Sequence, residues 1–268
     1  MKFKIIFILF NIVVVFSFLI VTMMPFMMLG AEYSRVFFKD SWYFFLLFVL
    51  TIGSIDAYFL LNWKLFTLLE SENWDELISY LENRIYRKKN LYGYLVRILA
   101  NTYLIKSNID GISRLEELLR KEKPKTLKKM VLPICIPHLI GGDAEKMEVF
   151  FGEFLEEKGV RKADWVRFLY SFSLLLNNKR KEASNSLLTL CKRKVSPILQ
   201  LLIIYALNPF TEMVSDEDFS CVELRKKELL SKYSKLKMEL ELERVNDNVV
   251  TLVLNKFSKE AIQWLYKE

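Results

Sequence analysis

Two long apolar stretches open the chain and predict two helices. Residues 5–29 carry no charged side chain, and residues 42–61 carry one, Asp56. A helix rises about 1.5 Å per residue, so about 20 residues cross a hydrocarbon core about 30 Å thick. In lipid the backbone polar groups need partners within the segment, which favours helices. We therefore predict a transmembrane helical hairpin in residues 1–63, with spans 5–29 and 42–61 joined by a loop.

A cleaved signal peptide is the alternative interpretation of the first stretch. Lys2 and Lys4 would form its basic start, and Gly30 and Ala31 offer small residues near a cleavage point. Signal peptides have apolar cores of about 7–15 residues, however, and this stretch is much longer. We therefore expect a membrane span.

Basic residues that flank the two stretches favour cytoplasmic ends. They are Lys2 and Lys4 before the first stretch and Lys64, Arg84, Arg87, Lys88 and Lys89 after the second. The expected location is a bacterial cytoplasmic membrane, with two passes and with both termini in the cytoplasm. The three cysteines are odd in number and widely spaced, so we interpret them as reduced thiols, which agrees with this orientation.

A repeated pattern of polar turn and amphipathic run follows the hairpin. Aligned on the first residue of each run that should face the core, the five copies fall at Leu77, Ile112, Met147, Ala183 and Ala261. The steps are about 35 residues, with a double step before the last copy. Apolar residues at helical spacing before the later turns predict preceding helices over 92–106, 127–140, 163–177 and 197–207. Pro133 and Pro137 should kink or shorten the second of these helices.

Residues 64–268 resemble the tetratricopeptide repeat family, whose units are helix-turn-helix pairs of about 34 residues. The best unit runs from Tyr94 to Pro124, and Ala100 and Tyr103 stand where the family has a small residue and a tyrosine. The unit departs from the family at the alanine of the second helix, where Gly111 or Ile112 stands. The resemblance implies an α-solenoid of about five degenerate repeats. An irregular helical bundle with hairpins of similar length is the alternative.

Residues 216–244 predict one long charged helix. Val222, Leu229, Tyr233, Leu236 and Leu240 follow a spacing of four and three residues, which is typical of an apolar stripe. The stripe is short, so we expect it to pack on the adjacent repeat rather than on a partner helix.

Composition supports an all-α protein with a mixed-charge surface. The chain has 39 basic and 32 acidic residues, and only 8 glycines and 6 prolines. Basic clusters near residues 84–89, 121–129 and 192–194 could contact anionic lipid head groups, and the first cluster is closest to the anchor. Acidic residues interrupt these clusters and no recognition motif accompanies them, so nucleic acid is an unfavoured partner.

Few residues suggest chemistry. The one histidine, His138, lies one helical turn from Cys135, but a zinc site needs three or four protein ligands, and the sequence offers no others nearby. We expect a buried His138 that bonds to a backbone carbonyl, and we expect no metal, cofactor or catalytic site. Asp56 is an ionisable group inside a span, and we expect it to pair with Lys2 or Lys4 or to reach the membrane surface.

Arg97 and Asn101 are the candidate partner-binding residues. They stand four residues apart in the best unit, and the resemblance implies that they line a concave groove and hold a peptide carboxylate. The favoured function is a membrane-anchored scaffold that presents its helical repeats to a protein or peptide partner. The alternative is an accessory subunit of a membrane transport or secretion complex that assembles through the hairpin. An enzyme is the least favoured class, because no catalytic group of residues supports it.

Overall fold

A computed structural model describes residues 3–213, 216–245, 250 and 253–267. These residues form helices joined by turns and contain no strand, which confirms the all-α prediction.

The chain divides into two compact units, Met1–Lys88 and Lys89–Glu268, so the predicted domain boundary after residue 63 falls inside the first unit. The first unit contains α1 (Phe3–Leu61), α2 (Trp63–Glu70), α3 (Trp74–Glu82) and a π-helix (Asn83–Arg87). The second contains α4 (Gly93–Ile105), α5 (Ile109–Glu122), α6 (Pro124–Lys129), α7 (Val131–Ile134), α8 (Ile136–Ile140), α9 (Ala144–Gly152), α10 (Ala163–Leu176), α11 (Arg180–Cys191), α12 (Pro197–Leu207), a 3₁₀ turn (Asn208–Met213), α13 (Asp216–Lys232), α14 (Lys235–Val245) and α15 (Asn255–Leu265).

The two arms of α1 pack antiparallel against each other. The ring centroids of Phe7 and Phe59 are 5.2 Å apart, and those of Phe18 and Phe48 are 4.1 Å apart. The residue numbers of each pair add to the same value, as the register of a hairpin requires. Within α1, the segments Ile5–Met28 and Ser34–Leu61 are long and apolar enough to cross a membrane.

The predicted 12-residue loop between the spans is wrong. The chain reverses at Gly30, whose φ of 80° is a conformation that residues with a Cβ rarely adopt. Helix resumes directly afterwards, and the Ser34 hydroxyl donates a hydrogen bond to the Gly30 carbonyl at 2.8 Å. Residues 32–40 carry four charged side chains, which a helix tolerates near its end.

The large apolar side chains of the two arms face outward. Phe16, Val21 and Leu47, for example, are each more than 60 % exposed. Exposed apolar surface on this scale is unusual for a soluble monomer and is what hydrocarbon would cover.

The short helices of the first unit are fastened to the end of α1 by polar contacts. Arg84 donates to Oδ1 of the buried Asn62 at 3.3 Å and to the Tyr80 hydroxyl at 3.1 Å. Arg84 therefore has a structural role in the first unit, although its sequence position placed it in a basic cluster.

Four of the five repeated turns share one backbone geometry. A residue with positive φ ends the preceding helix at Glu72, Ser107, Gly142 and Asn178. In the first three turns the next residue caps the following helix through its side chain, and these caps are Asn73, Asn108 and Asp143. The five aligned apolar positions are all at most 1 % exposed, which confirms that they face the core. The resemblance to tetratricopeptide repeats stays a prediction.

The second unit is not a plain stack of repeats. Helix α12 is apolar on almost every side, and nine of its eleven residues, all except Pro197 and Tyr205, are buried. It contacts α10, α11, α13, α14 and α15, whereas a solenoid repeat contacts only its neighbours. Because its apolar side chains point in almost every direction, α12 avoids water only where other helices pack around it, and the later helices do so. This part of the chain is therefore closer to the helical-bundle alternative, and the solenoid is not confirmed.

Two predicted helices are interrupted. The helix expected over 127–140 is three short helices, α6, α7 and α8, which confirms the effect expected of Pro133 and Pro137. The single helix expected over 216–244 is wrong, because α13 ends at Lys232 and α14 begins at Lys235. Helix α14 buries Met238 and Leu242 instead of the stripe residues Leu236 and Leu240, which are 67 % and 47 % exposed.

Candidate functional site

A groove of about 700 Å³ runs along the arms of α1. Its lining is apolar apart from three hydroxyl side chains, Ser17, Ser41 and Thr51. The Thr51 hydroxyl donates to the Leu47 carbonyl at 2.8 Å and is therefore satisfied within its own helix. A surface of this kind fits another apolar helix or an acyl chain.

Two polar atoms inside the hairpin are buried without a described partner. They are Oδ1 of Asp56 and Oγ1 of Thr22. The pairing expected for Asp56 is not tested, because Lys2 and the side chain of Lys4 lie outside the described residues. From the register of the ring contacts, Asp56 lies about one turn nearer Gly30 than Phe59 does.

Arg97 and Asn101 are both exposed on α4. They are one turn apart, so a single carboxylate could accept hydrogen bonds from both side chains. Their neighbours on the opposite face of α4, Leu95 and Leu99, are fully buried. The pair is therefore accessible, while the groove around it stays a prediction.

A buried carboxylate joins three helices of the second unit. Glu116 on α5 is 8 % exposed, and its two oxygens each meet a nitrogen at 2.8 Å, Nε2 of His138 on α8 and Nε of Arg120. Arg120 in turn donates to Glu153 at 2.6 Å, one residue beyond the end of α9. The His138 ring stacks on Phe150 with centroids 4.2 Å apart. This cluster links α5, α8 and α9 through charge-assisted hydrogen bonds.

The partners of Glu116 decide its ionisation. Burial alone would raise the pKa of the Glu116 carboxyl, but the hydrogen bonds and charges of His138 and Arg120 outweigh burial and lower it. The carboxylate therefore stays ionised and holds the helices together. The expectation that His138 bonds to a backbone carbonyl is wrong. Sequence reasoning missed Glu116, although its place between the core residues Leu115 and Leu119 marks a charged side chain at the edge of an apolar face.

Cys135, one turn before His138, is not arranged as a nucleophile. Its thiol is buried, donates to the Leu132 carbonyl, and has its pKa raised, mainly by burial. Across the part of the chain that the structure describes, no three His, Cys, Asp or Glu side chains are grouped to hold a metal ion.

Many residues of the basic clusters are engaged in pairs. Lys89, Lys128 and Lys192 lie within 3.2 Å of Glu122, Glu157 and Asp218, respectively. Arg87 and Lys88 are exposed. These two residues are the better candidates for contact with anionic head groups.

Comparisons with known proteins find a family that matches most of the second unit. Residues 111–267 match a protein family described as "Uncharacterised Treponema protein". An uncharacterized protein of Treponema pallidum (strain Nichols) is 25 % identical over 165 residues, which cover 62 % of this chain and 52 % of that protein. The chain thus spans about half the length of the curated relative. No solved structure matches. The family match begins within α5 and leaves out the hairpin.

Proposed function

The chain belongs to the family described as "Uncharacterised Treponema protein", and we propose a function from the architecture of the chain itself. The protein is a membrane-anchored scaffold whose helical unit binds a protein partner, and it has no catalytic activity. The observation that carries this proposal is the contrast between the units. The arms of α1 expose their large apolar side chains, while Lys89–Glu268 buries its own in a separate core. The first pattern needs lipid, and the second is that of a helical unit in water.

The proposed topology has two passes with both termini in the cytoplasm. Lys64, Arg87 and Lys88 follow the second arm, and positive residues next to spans favour the cytoplasmic side. The turn at Gly30 would then face outward. Arg87 and Lys88 would lie near the inner leaflet, where each basic residue contributes about 1 kcal/mol of attraction to anionic lipid.

Reporter fusions test this topology. A fusion after Glu268 should report the cytoplasm, and an insertion at Tyr33 should report the outside. Two reporters distinguish the sides: alkaline phosphatase is active outside the cytoplasm, and green fluorescent protein fluoresces inside it. Alkaline phosphatase activity from the Glu268 fusion would overturn the proposed orientation. Membrane-bound protein that lacks residues 1–30 and keeps the second arm would instead support the signal-peptide interpretation.

The proposed partner is a protein or peptide with an accessible carboxylate. Arg97 and Asn101 carry this part of the proposal, since both are exposed and separated by one helical turn. A guanidinium and an amide at this spacing can both donate to one carboxylate.

A second candidate function is an accessory subunit of a membrane transport or secretion complex. The groove of about 700 Å³ on the arms and the unpartnered Thr22 and Asp56 atoms favour it, because polar and small side chains at such places join helices in membranes. A photo-crosslinking residue at Phe44 in the groove should then capture a membrane protein, whereas one at Leu60, exposed outside the groove lining, should not. Capture only from position 97 would favour the scaffold.

A further inference from the structure

Two cysteines from different helices meet in the second unit. Cys191 is the last residue of α11, and Cys221 lies in the second turn of α13. Asp218 and Arg225 lie one turn before and one turn after Cys221 on α13, and they contact Lys192 and the Cys191 carbonyl. Residues three and four apart share a helix face, so Cys221 faces the end of α11. Cys191 is buried, whereas Cys221 is partly exposed. A reagent in solution can therefore reach the Cys221 sulfur, whereas the Cys191 sulfur is covered.

Polar contacts on both sides of Cys221 hold α13 against the end of α11. Lys192 pairs with Asp218 at 2.7 Å, before the cysteine. After it, Arg225 donates to the Cys191 carbonyl at 3.3 Å and to the Lys192 carbonyl at 3.4 Å. These contacts keep the thiols together, which gives each a high effective concentration at the other.

We propose that Cys191 and Cys221 are a reversible disulfide site, oxidised by exchange with a small-molecule disulfide, and that the bond fastens α13 to α11. This proposal does not depend on the proposed function of the protein. It adds to the sequence-based interpretation of the three cysteines as reduced thiols, which describes the state before oxidation.

The exchange takes two balanced steps. The Cys221 thiolate attacks one sulfur of the small disulfide, forms a mixed disulfide and releases one small thiolate. Cys191 then loses its proton to solvent, and its sulfur attacks the Cys221 sulfur and displaces the second small thiolate. Two protein thiols are oxidised to one disulfide, and the small disulfide is reduced to two thiols.

The surroundings of Cys191 fit the second position in this order. Burial, followed by the negative charge of a Cys221 thiolate, raises the pKa of Cys191 to about 11. The mixed disulfide on Cys221 carries no thiolate charge, so the first step removes that contribution. Arg225 continues to favour the Cys191 thiolate. Cys191 therefore becomes a better nucleophile once Cys221 has reacted.

Peptide mapping of the full-length protein in detergent tests the proposal. The reduced protein is incubated with oxidised glutathione, quenched with acid, alkylated with iodoacetamide under denaturing conditions and digested with trypsin. We expect a linked pair of peptides, one ending at Lys192 and the other at Arg225, and loss of alkylation at both cysteines. Dithiothreitol should restore alkylation at both.

Two controls accompany the digest. The variant Cys221→Ser should yield no linked peptides and should leave Cys191 alkylated. Cys135 should be alkylated in every sample, because its buried thiol is protected from glutathione and becomes accessible only on denaturation. The wild-type digest decides the matter even where the substitution disturbs folding. Glutathione retained on Cys221 beside an alkylated Cys191, or alkylation of both cysteines, would overturn the proposal.

Discussion

Replacing Gly111 by alanine perturbs the packing of α4 against α5. A Cβ at position 111 would lie 2.7 Å from Cε1 and 2.8 Å from Cδ1 of the Tyr103 ring, well inside van der Waals contact. Tyr103 is fully buried, so its ring cannot move into solvent to make room. Either the ring or α5 must shift, and well-packed cores resist such shifts.

The expected cost combines two opposing effects. Overpacking a core typically costs about 1–3 kcal/mol. Alanine recovers up to about 1 kcal/mol relative to glycine in a helix. The cap is kept, since Asn108 accepts from the backbone N–H of residue 111, which alanine retains. We expect Gly111→Ala to lower the free energy of unfolding by about 1–2 kcal/mol, with the clash outweighing the gain in helix propensity.

Urea unfolding of the full-length protein in detergent, followed by circular dichroism, measures this loss. Gly93→Ala is the matched control, because a Cβ there would meet no atom within 4 Å. The control should leave the unfolding midpoint unchanged or slightly higher. Equal midpoints for the two variants would show that Tyr103 does not pack on Gly111 as described, and the reasoning would fail.

Three further predictions concern the ion cluster, the partner site and the second unit. Glu116→Gln should lower the free energy of unfolding at neutral pH by about 1–3 kcal/mol, because His138 and Arg120 lose a charged acceptor at a buried position. Since the folded-state pKa of Glu116 is lowered, its stabilisation is present above the ordinary pKa of a glutamate and is lost as pH falls through the folded value. The urea midpoints of the wild type and the variant should therefore converge as pH falls through that folded value, and a gap that stays constant would contradict this role. Arg97→Ala should weaken binding of a captured partner by about 1.5–3 kcal/mol, and it should change the free energy of unfolding by less than about 0.5 kcal/mol. Calorimetry measures the affinity, and Lys181→Ala is the exposed control. Unchanged affinity would show that Arg97 is not part of the partner site. The fragment Lys89–Glu268, expressed without the hairpin, should be soluble and helical by circular dichroism, and insoluble or sheet-rich material would refute an independent core.

Local pattern was sufficient for a large part of this fold. The two apolar stretches, the turns at steps of about 35 residues and the buried positions Leu77, Ile112 and Met147 could be predicted, because helical periodicity and chain length express them within a few residues. The breaks at Pro133 and Pro137 were equally predictable, since proline disrupts a helix wherever it stands. Exposure of Arg97 and Asn101 follows from the same periodicity.

Tertiary structure alone decided what meets across the chain. Glu116 bonds to His138 across 22 residues, and Cys191 lies beside Cys221 on another helix. The packing of the later helices around α12 also depends on neighbours far away in sequence. The same holds for the face that α14 buries, which carries Met238. Helical periodicity shows which face of a helix is apolar, but the choice among apolar faces depends on the packing free energy of the whole unit. The sequence by itself therefore determined the helices and their buried faces, and packing between those faces determined the side-chain clusters from which function is inferred.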